Sequence, residues 1–349
     1  FLGMATKFTS ISLALIYRDD LGKEVHGGPM YTIKNGLPKA FKPLAYAYSF
    51  FLILSALGAG NMFQANQMTS IINSNTGIPT WASGIFFSLL AGFVLIGGIK
   101  RIGRVTEKLV PLMVAVYFVG ALGILVSHYT QIPGLLWQIV EDAFTGTAAI
   151  GGFAGVAFRE VLIQGVRRGI FSNEAGMGSA ACAHSAAKSH PIQEGMVGLL
   201  GPFIDTIIVC TMTALVILIT GVWTEAGGIE GSDLTGSAFA SLYGPTGNYI
   251  VMISVIFLAF STMISWAYYG EQGVTFLFGE KMIMPFRLVF ITLIVIGAIA
   301  KLTTVLNLSD AVFGLLAIPN LLANILLSKK LKKELKDYER DPKNFTVRN

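Results

Sequence analysis

Long apolar runs alternate along the chain with short polar stretches. A membrane-spanning helix needs roughly 20 mostly apolar residues. Nine stretches approach or exceed that length: 1–17, 44–72, 78–99, 109–126, 135–170, 196–223, 249–278, 282–300 and 303–327. Stretch 44–72 carries a polar patch in its middle, and 249–278 holds hydroxyls. Stretch 135–170 is interrupted by glycines between 146 and 155. The pattern predicts an all-α polytopic membrane protein with nine spans, a membrane core over 1–328 and a basic tail over 329–349.

The loops predict an orientation. Lys and Arg number five over 18–42, four over 100–108, four over 159–188, two over 279–287 and eight from Lys329 onward. The intervening loops are basic-poor, and the one over 224–248 holds Glu225, Glu230 and Asp233 instead. By the positive-inside rule the basic loops and the C-terminus are cytoplasmic, and the expected location is the plasma membrane. The run 329–336 reads as a solvated helix end at an anionic leaflet.

Composition agrees. Residues are 53% hydrophobic and 13% charged, with mean hydropathy +0.66; a soluble domain carries about 25% charged residues. Glycine, at 39 of 349, suits close helix contacts in lipid. A soluble enzyme, a disulfide scaffold and a disordered chain are disfavoured. The net charge of +5 lies in loops and forms no basic face, so no nucleic-acid partner is expected. Cys182 and Cys210 make neither a framework nor a zinc site. His26, His128, His184 and His190 form no HExxH pair, and neither a nucleophile elbow nor a P-loop appears. Neither enzyme chemistry nor a cofactor is expected. Phe1 falls inside an apolar run, so a preceding segment is expected.

Polar groups inside the apolar runs are the candidate chemistry. Four glycines within 144–155 weaken a helix by about 1 kcal/mol each. Such a stretch is either a packing seam or a helix break of the kind that builds midplane sites in carriers. A five-plus-five inverted repeat would need a matching broken helix before Phe1. Asn61 and Gln64 share one helix face and either bind a zwitterion or bond neighbouring helices. Ser261 and Thr262, with Ser265 nearby, either offer oxygens to a hard monovalent cation or back-bond to their own helix. Asp205 is an acid within a span, with a structural partner an equal reading. Glu271 and Asp310 lie nearer span ends and read as structural. Lys7, Arg159 and Glu160 are assigned no transport role, since they can snorkel or pair.

The run Arg168-Gly-Ile-Phe-Ser-Asn-Glu-Ala-Gly-Met-Gly-Ser-Ala180 closely resembles a signature of the alanine or glycine:cation symporter family. So do Phe203-Ile-Asp-Thr206 followed by Cys210-Thr-Met-Thr-Ala-Leu-Val216, Gly28-Pro-Met-Tyr31, the stretch from Ile99 to Pro111, and Gly60-Asn-Met-Phe-Gln-Ala-Asn66, where the family carries Val for Phe. The resemblance covers nearly the whole chain. It implies a leucine-transporter-like fold, a five-plus-five inverted repeat preceded by an extra helix, with sodium-coupled import of alanine and glycine by alternating access. On that mapping the chain lacks the extra helix and the first core helix, and its nine spans are core helices two to ten. The resemblance further implies a sodium site completed by Ser261 and Thr262. Phe144, Thr147, Ile150, Gly151, Gly152 and Phe153 would line the break in core helix six, faced by Asn61 and Gln64. Arg168–Ala180 would begin a cytoplasmic gate, with no chemical role assigned. The expected partners are a small amino acid, sodium and the bilayer, and a monomer is expected. Two rivals stay open: proton coupling through Asp205 or Glu271, and a channel or pore subunit. A membrane-embedded enzyme is disfavoured by the missing motifs.

Overall fold

A computed structural model describes residues 2–20, 25–145, 154–225 and 231–340. The elements are helix α1 (Leu2–Ile16), the two-residue antiparallel strands β1 (Asp19–Asp20) and β2 (Val25–His26), α2 (Pro29–Gly36), α3 (Lys42–Leu57), α4 (Gln64–Thr76), α5 (Thr80–Ile96) and α6 (Gly98–Ser127). There follow α7 (Ile132–Thr145), α8 (Ala154–Asn173), α9 (Ala181–His184), α10 (Pro191–Pro202), α11 (Thr211–Thr220) and α12 (Val222–Glu225). The last are α13 (Ser232–Tyr243), α14 (Pro245–Phe278), α15 (Ile283–Ile299) and α16 (Leu302–Arg340). Two π-helical turns join consecutive helices, Gly58–Phe63 between α3 and α4 and Phe203–Cys210 between α10 and α11.

Each of the nine apolar stretches coincides with helix among the described residues. Among the described residues, six helical stretches are long and apolar enough to cross a membrane: Lys39–Thr76, Gly98–Ser127, Pro191–Thr220, Pro245–Phe278, Glu280–Ile299 and Leu302–Arg340. Leu2–Ile16 and Thr80–Ile96 are apolar but shorter. The stretch 135–170 falls on α7 and α8, and residues 146–153 between them lie outside the described residues. The boundary expected at 328 is not marked by a helix end. The final helix runs on to Arg340, supported by a Lys330–Glu334 pair of 3.1 Å one turn apart.

Small residues set the packing. Gly270 of α14 lies against Ala56 of α3, where an added Cβ would stand 2.9 Å from the alanine methyl. At Gly297 of α15 an added Cβ would meet the Met62 Cα at 2.5 Å, and at Gly198 of α10 it would meet Ile11 of α1 at 2.1 Å. Lipid is as apolar as a helix face, so association in a membrane depends on such close approach. The continuous core runs through α3, α4, α14, α15 and α16, with Tyr48 and Phe290 fully enclosed.

The two π-helical turns have local causes. Pro202 removes a backbone donor just before the second. In the first, Gly60 sits against the Trp266 side chain, where a Cβ would come within 2.4 Å. Such turns recur at functional sites because they re-aim side chains within a helix.

Candidate substrate and cation site

Helix α8 stops at Asn173, which is half-buried, and the chain becomes buried from Gly176 onward. Glu174, Gly176 and Gly178 then take left-handed backbone conformations, with φ of 52°, 82° and 75°. A glutamate there is uncommon, because its Cβ crowds the backbone. Met177 and Ser179 are completely buried. Buried irregular backbone needs hydrogen-bond partners from the surrounding protein. Here three other helices supply the partners. The Tyr48 hydroxyl of α3 donates to the Met177 carbonyl at 3.0 Å, and the Asn320 amide of α16 donates to the Gly176 carbonyl at 2.7 Å. The Lys7 ammonium of α1 donates to the Asn173 carbonyl at 3.2 Å. The Ser179 hydroxyl donates to the Glu174 carboxylate at 2.7 Å.

Aromatic rings lie beside this break. Phe63 packs on Phe171 with centroids 4.9 Å apart, Phe171 on Phe313 at 5.1 Å, and Phe313 on Trp266 at 5.3 Å. They bring together the first π-helical turn, α8, α14 and α16. One turn before Phe171, the Arg168 guanidinium donates to both oxygens of Asp310, at 2.7 and 2.5 Å.

The residues singled out by sequence fall as follows. The Asn61 amide donates to the Phe290 carbonyl of α15 at 2.6 Å, and its own carbonyl oxygen is buried without a partner among the described residues. Asn66 adds two bonds to α15, donating to the carbonyls of Ala300 at 2.7 Å and Gly297 at 3.2 Å. Gln64 donates to the Ala59 carbonyl of its own helical stretch at 3.3 Å. Ser261 is buried and back-bonds to the Leu258 carbonyl at 3.0 Å. Thr262 is half-buried, one turn before Trp266 and hence close in level to Gly60 and the Asn61 amide.

Thr147, Ile150, Gly151, Gly152 and Phe153 lie outside the described residues, and Phe144 stands in the last turn of α7. Phe63, between Asn61 and Gln64, meets Phe171. At about 1.5 Å per residue, that contact is roughly 25 Å along α8 from Ala154. The two amides therefore lie at the Glu174 end of the helix.

The three acids weighed for coupling or pairing, Glu271, Asp310 and Asp205, are each engaged. Glu271 accepts from Arg287 at 2.6 and 2.9 Å, and both side chains are nearly enclosed. Asp310 holds Arg168, and Asp205 accepts from the Ser172 hydroxyl.

Sequence reasoning overlooked Glu174–Ser179 as a break, because it weighed glycine density and the densest run lay elsewhere. The available signal was Asn-Glu-Ala-Gly-Met-Gly, an asparagine followed by two alternating glycines, which is turn chemistry.

A bundle of apolar helices with a partly buried helix break, tied by side chains from three other helices, has the architecture of a membrane carrier. The chain belongs to the sodium:alanine symporter family, which it matches over residues 1–348. It is 40% identical to the sodium/alanine symporter AgcS of Methanococcus maripaludis over 351 residues, covering 99% of this chain and 76% of that protein. It is 35% identical to the probable sodium/glutamine symporter GlnT of Bacillus subtilis, covering 98% of this chain and 70% of that protein. It is 32% identical to the putative sodium/proton-dependent alanine carrier protein YrbD of the same organism, covering 98% and 73%. The protein is thus a multi-pass membrane transporter of a family of cation-coupled amino-acid carriers, and not an enzyme.

Proposed function

We propose that the protein imports small neutral amino acids, alanine and glycine, together with sodium, by alternating access in a leucine-transporter-like fold. In this reading it works as a monomer in the plasma membrane with its C-terminus in the cytoplasm. The observation that carries the reading is the buried break at Glu174–Ser179. Freed backbone groups at a helix break suit the two charges of a zwitterion. The aromatic rings of Phe63, Phe171, Phe313 and Trp266 pack beside it and would form the apolar wall of such a site. AgcS is named for alanine and sodium, which supports the same pair here.

Ser261 and Thr262 are our candidates for sodium oxygens, at one level of α14. The Ser261 hydroxyl spends its proton on the Leu258 carbonyl, so its lone pairs stay available to a cation. Proton coupling through Glu271 is disfavoured by its forked bond to Arg287, which engages both carboxylate oxygens. The test is a sodium titration of labelled alanine uptake into vesicles. Thr262→Val keeps the shape and removes an oxygen, at a cost of about 1.5–3 kcal/mol for a bond to a charged group. Half-maximal uptake should then need roughly 10- to 150-fold more sodium, with recovery at saturation because the coupling is reciprocal. An unchanged half-saturation would return the pair to simple back-bonding.

Gln64 is our candidate substrate contact, since among the described residues its only bond is a long one within its own helical stretch. Asn61, Phe144 and the residues 147–153 carry less of the reading than Gln64 and the break. Gln64→Ala should weaken alanine binding by roughly 10- to 150-fold. An affinity within about twofold of the parent would make Gln64 a helix contact.

A further inference from the structure

A groove of about 460 Å³ runs between α1 and the last turns of α16. Its walls are mostly hydrocarbon, with Phe8 of α1 and Leu321, Ile325 and Leu335 of α16 on the lining. The hydroxyls on the lining are already bonded within their own helices. Thr6 donates to the Gly3 carbonyl at 2.9 Å, Thr9 to the Ala5 carbonyl at 2.8 Å and Ser328 to the Ile325 carbonyl at 2.7 Å, so their protons are not offered to an occupant. Among the described residues the lining carries one charge, Lys332. That lysine is held in place rather than carried on a loose tail. Leu331 beside it is buried in one cluster with Leu13 of α1 and Ile192 of α10, and Leu335 and Tyr338 pack on that cluster. Lys329 and Lys336 stand one turn before and one turn after Lys332, and all three are exposed. Lys330 is engaged by Glu334 at 3.1 Å, whereas these three hold no ion pair among the described residues. The apolar run of α16 ends near Leu327. At about 1.5 Å per residue Lys332 lies roughly 7 Å beyond that point, which is the depth of the headgroup layer, about 5–7 Å on each side of the hydrocarbon.

We propose that the groove is a binding site for an anionic phospholipid, with an acyl chain along Phe8 and Ile325 and the phosphate at Lys332, flanked by Lys329 and Lys336. Hydrocarbon walls that end in unpaired cations at headgroup depth are complementary to an amphiphile with a negative head. A zwitterionic lipid fills the hydrocarbon part equally well, but it brings its own cation to the lysines. The bound lipid touches both α1 and α16, so it joins the two helices at the leaflet surface.

The inference takes only the membrane placement of α16 from the proposed function. Its test needs no transport, so a failed sodium titration leaves it standing. The full-length protein, purified in a neutral detergent, is titrated with dioleoylphosphatidylglycerol or dioleoylphosphatidylcholine, and native mass spectrometry counts the lipids retained. The parent should hold one phosphatidylglycerol at a concentration where phosphatidylcholine is lost. A lysine near the surface is worth roughly fivefold in affinity for an anionic lipid. Lys332→Gln with Lys336→Gln should therefore weaken phosphatidylglycerol roughly 25-fold and leave phosphatidylcholine unchanged. Ile325→Trp fills the groove and keeps the lysines, and it should lose the retained lipid. Ile325 is exposed, and Ser328→Trp, at another exposed position, serves if the first variant does not fold. Equal affinity of the parent for the two lipids, or an unchanged affinity in the double glutamine variant, overturns the proposal. Phosphatidylglycerol that survives both tryptophan variants means that the lysines act without the groove, and overturns it too. A dimer that a tryptophan variant dissociates would give the groove to a second copy. A parent that retains neither lipid and is destabilised by the tryptophan would give it to another segment of the chain. Either result removes the lipid.

Discussion

Glu271→Gln should destabilise the folded protein by about 3–5 kcal/mol, the usual consequence of leaving one member of a buried ion pair without its counter-charge. Glu271 and Arg287 are both nearly enclosed, and the guanidinium reaches both carboxylate oxygens at 2.6 and 2.9 Å, tying α14 to α15. Removing the carboxylate leaves the Arg287 charge in a bundle interior with no water to solvate it. The Glu271→Met, Arg287→Met double variant removes both charges and should lie within about 1–2 kcal/mol of the parent, since buried pairs are often replaced by apolar groups at little loss. Thermal unfolding of the three proteins in the same detergent checks the order. The double variant also bears on the coupling ion. If Glu271 only holds two helices together, alanine uptake by the double variant keeps its dependence on sodium. If Glu271 carries a proton, uptake in the double variant persists only as uncoupled exchange. A single variant as stable as the double one would mean that Arg287 finds another partner, and the pair would lose its structural role.

The apolar segments were legible in the sequence because each is a local property, a run long enough to cross the bilayer bounded by charge. The end of the last helix was less so. Its apolar run stops near Leu327, yet the chain stays helical to Arg340. Lys330 and Glu334 sustain it one turn apart, a contribution from side-chain pairing that hydropathy does not record. The candidate site was legible in its polar residues and illegible in their directions. Asn61 stands out in an apolar run, but whether its amide meets a ligand or a neighbour depends on Phe290, 229 positions away. The break at Glu174 was hidden for another reason. One of its three left-handed residues is a glutamate, which accepts from Ser179 while Tyr48 and Asn320 hold the Met177 and Gly176 carbonyls after it, and no local rule marks a glutamate for that conformation. Glycine count pointed to 146–155, most of which lies outside the described residues, and it gives no weight to a break that tertiary bonds hold open.

Gly178→Ala tests whether that broken backbone is required. Two separate penalties meet at this position. Its φ of 75° lies in the left-handed region, where a side chain costs about 1–2 kcal/mol. An added Cβ would also stand 2.5 Å from Pro29 and 2.6 Å from the Asn320 side-chain oxygen, and overpacking of a filled site costs about 1–3 kcal/mol. Together they predict a loss of about 2–5 kcal/mol. The Asn320 amide must then give up its 2.7 Å bond to the Gly176 carbonyl or move with it, so the break loses its anchor on α16. Alanine uptake should fall to background even where folded protein reaches the membrane. Two controls isolate the cause. Gly165→Ala, in open space on α8 and in ordinary helical conformation, should be neutral or slightly stabilising, because alanine is the better helix former. Gly176 has a φ of 82° but faces only the Leu321 side chain, at 3.2 Å. Gly176→Asn should therefore be milder than Gly176→Ala, since asparagine tolerates the left-handed region. Thermal stability and uptake for the four variants form one series. Full uptake by Gly178→Ala at parental stability would mean that the chain passes this point in another conformation, and the substrate site would have to be sought away from Glu174–Ser179.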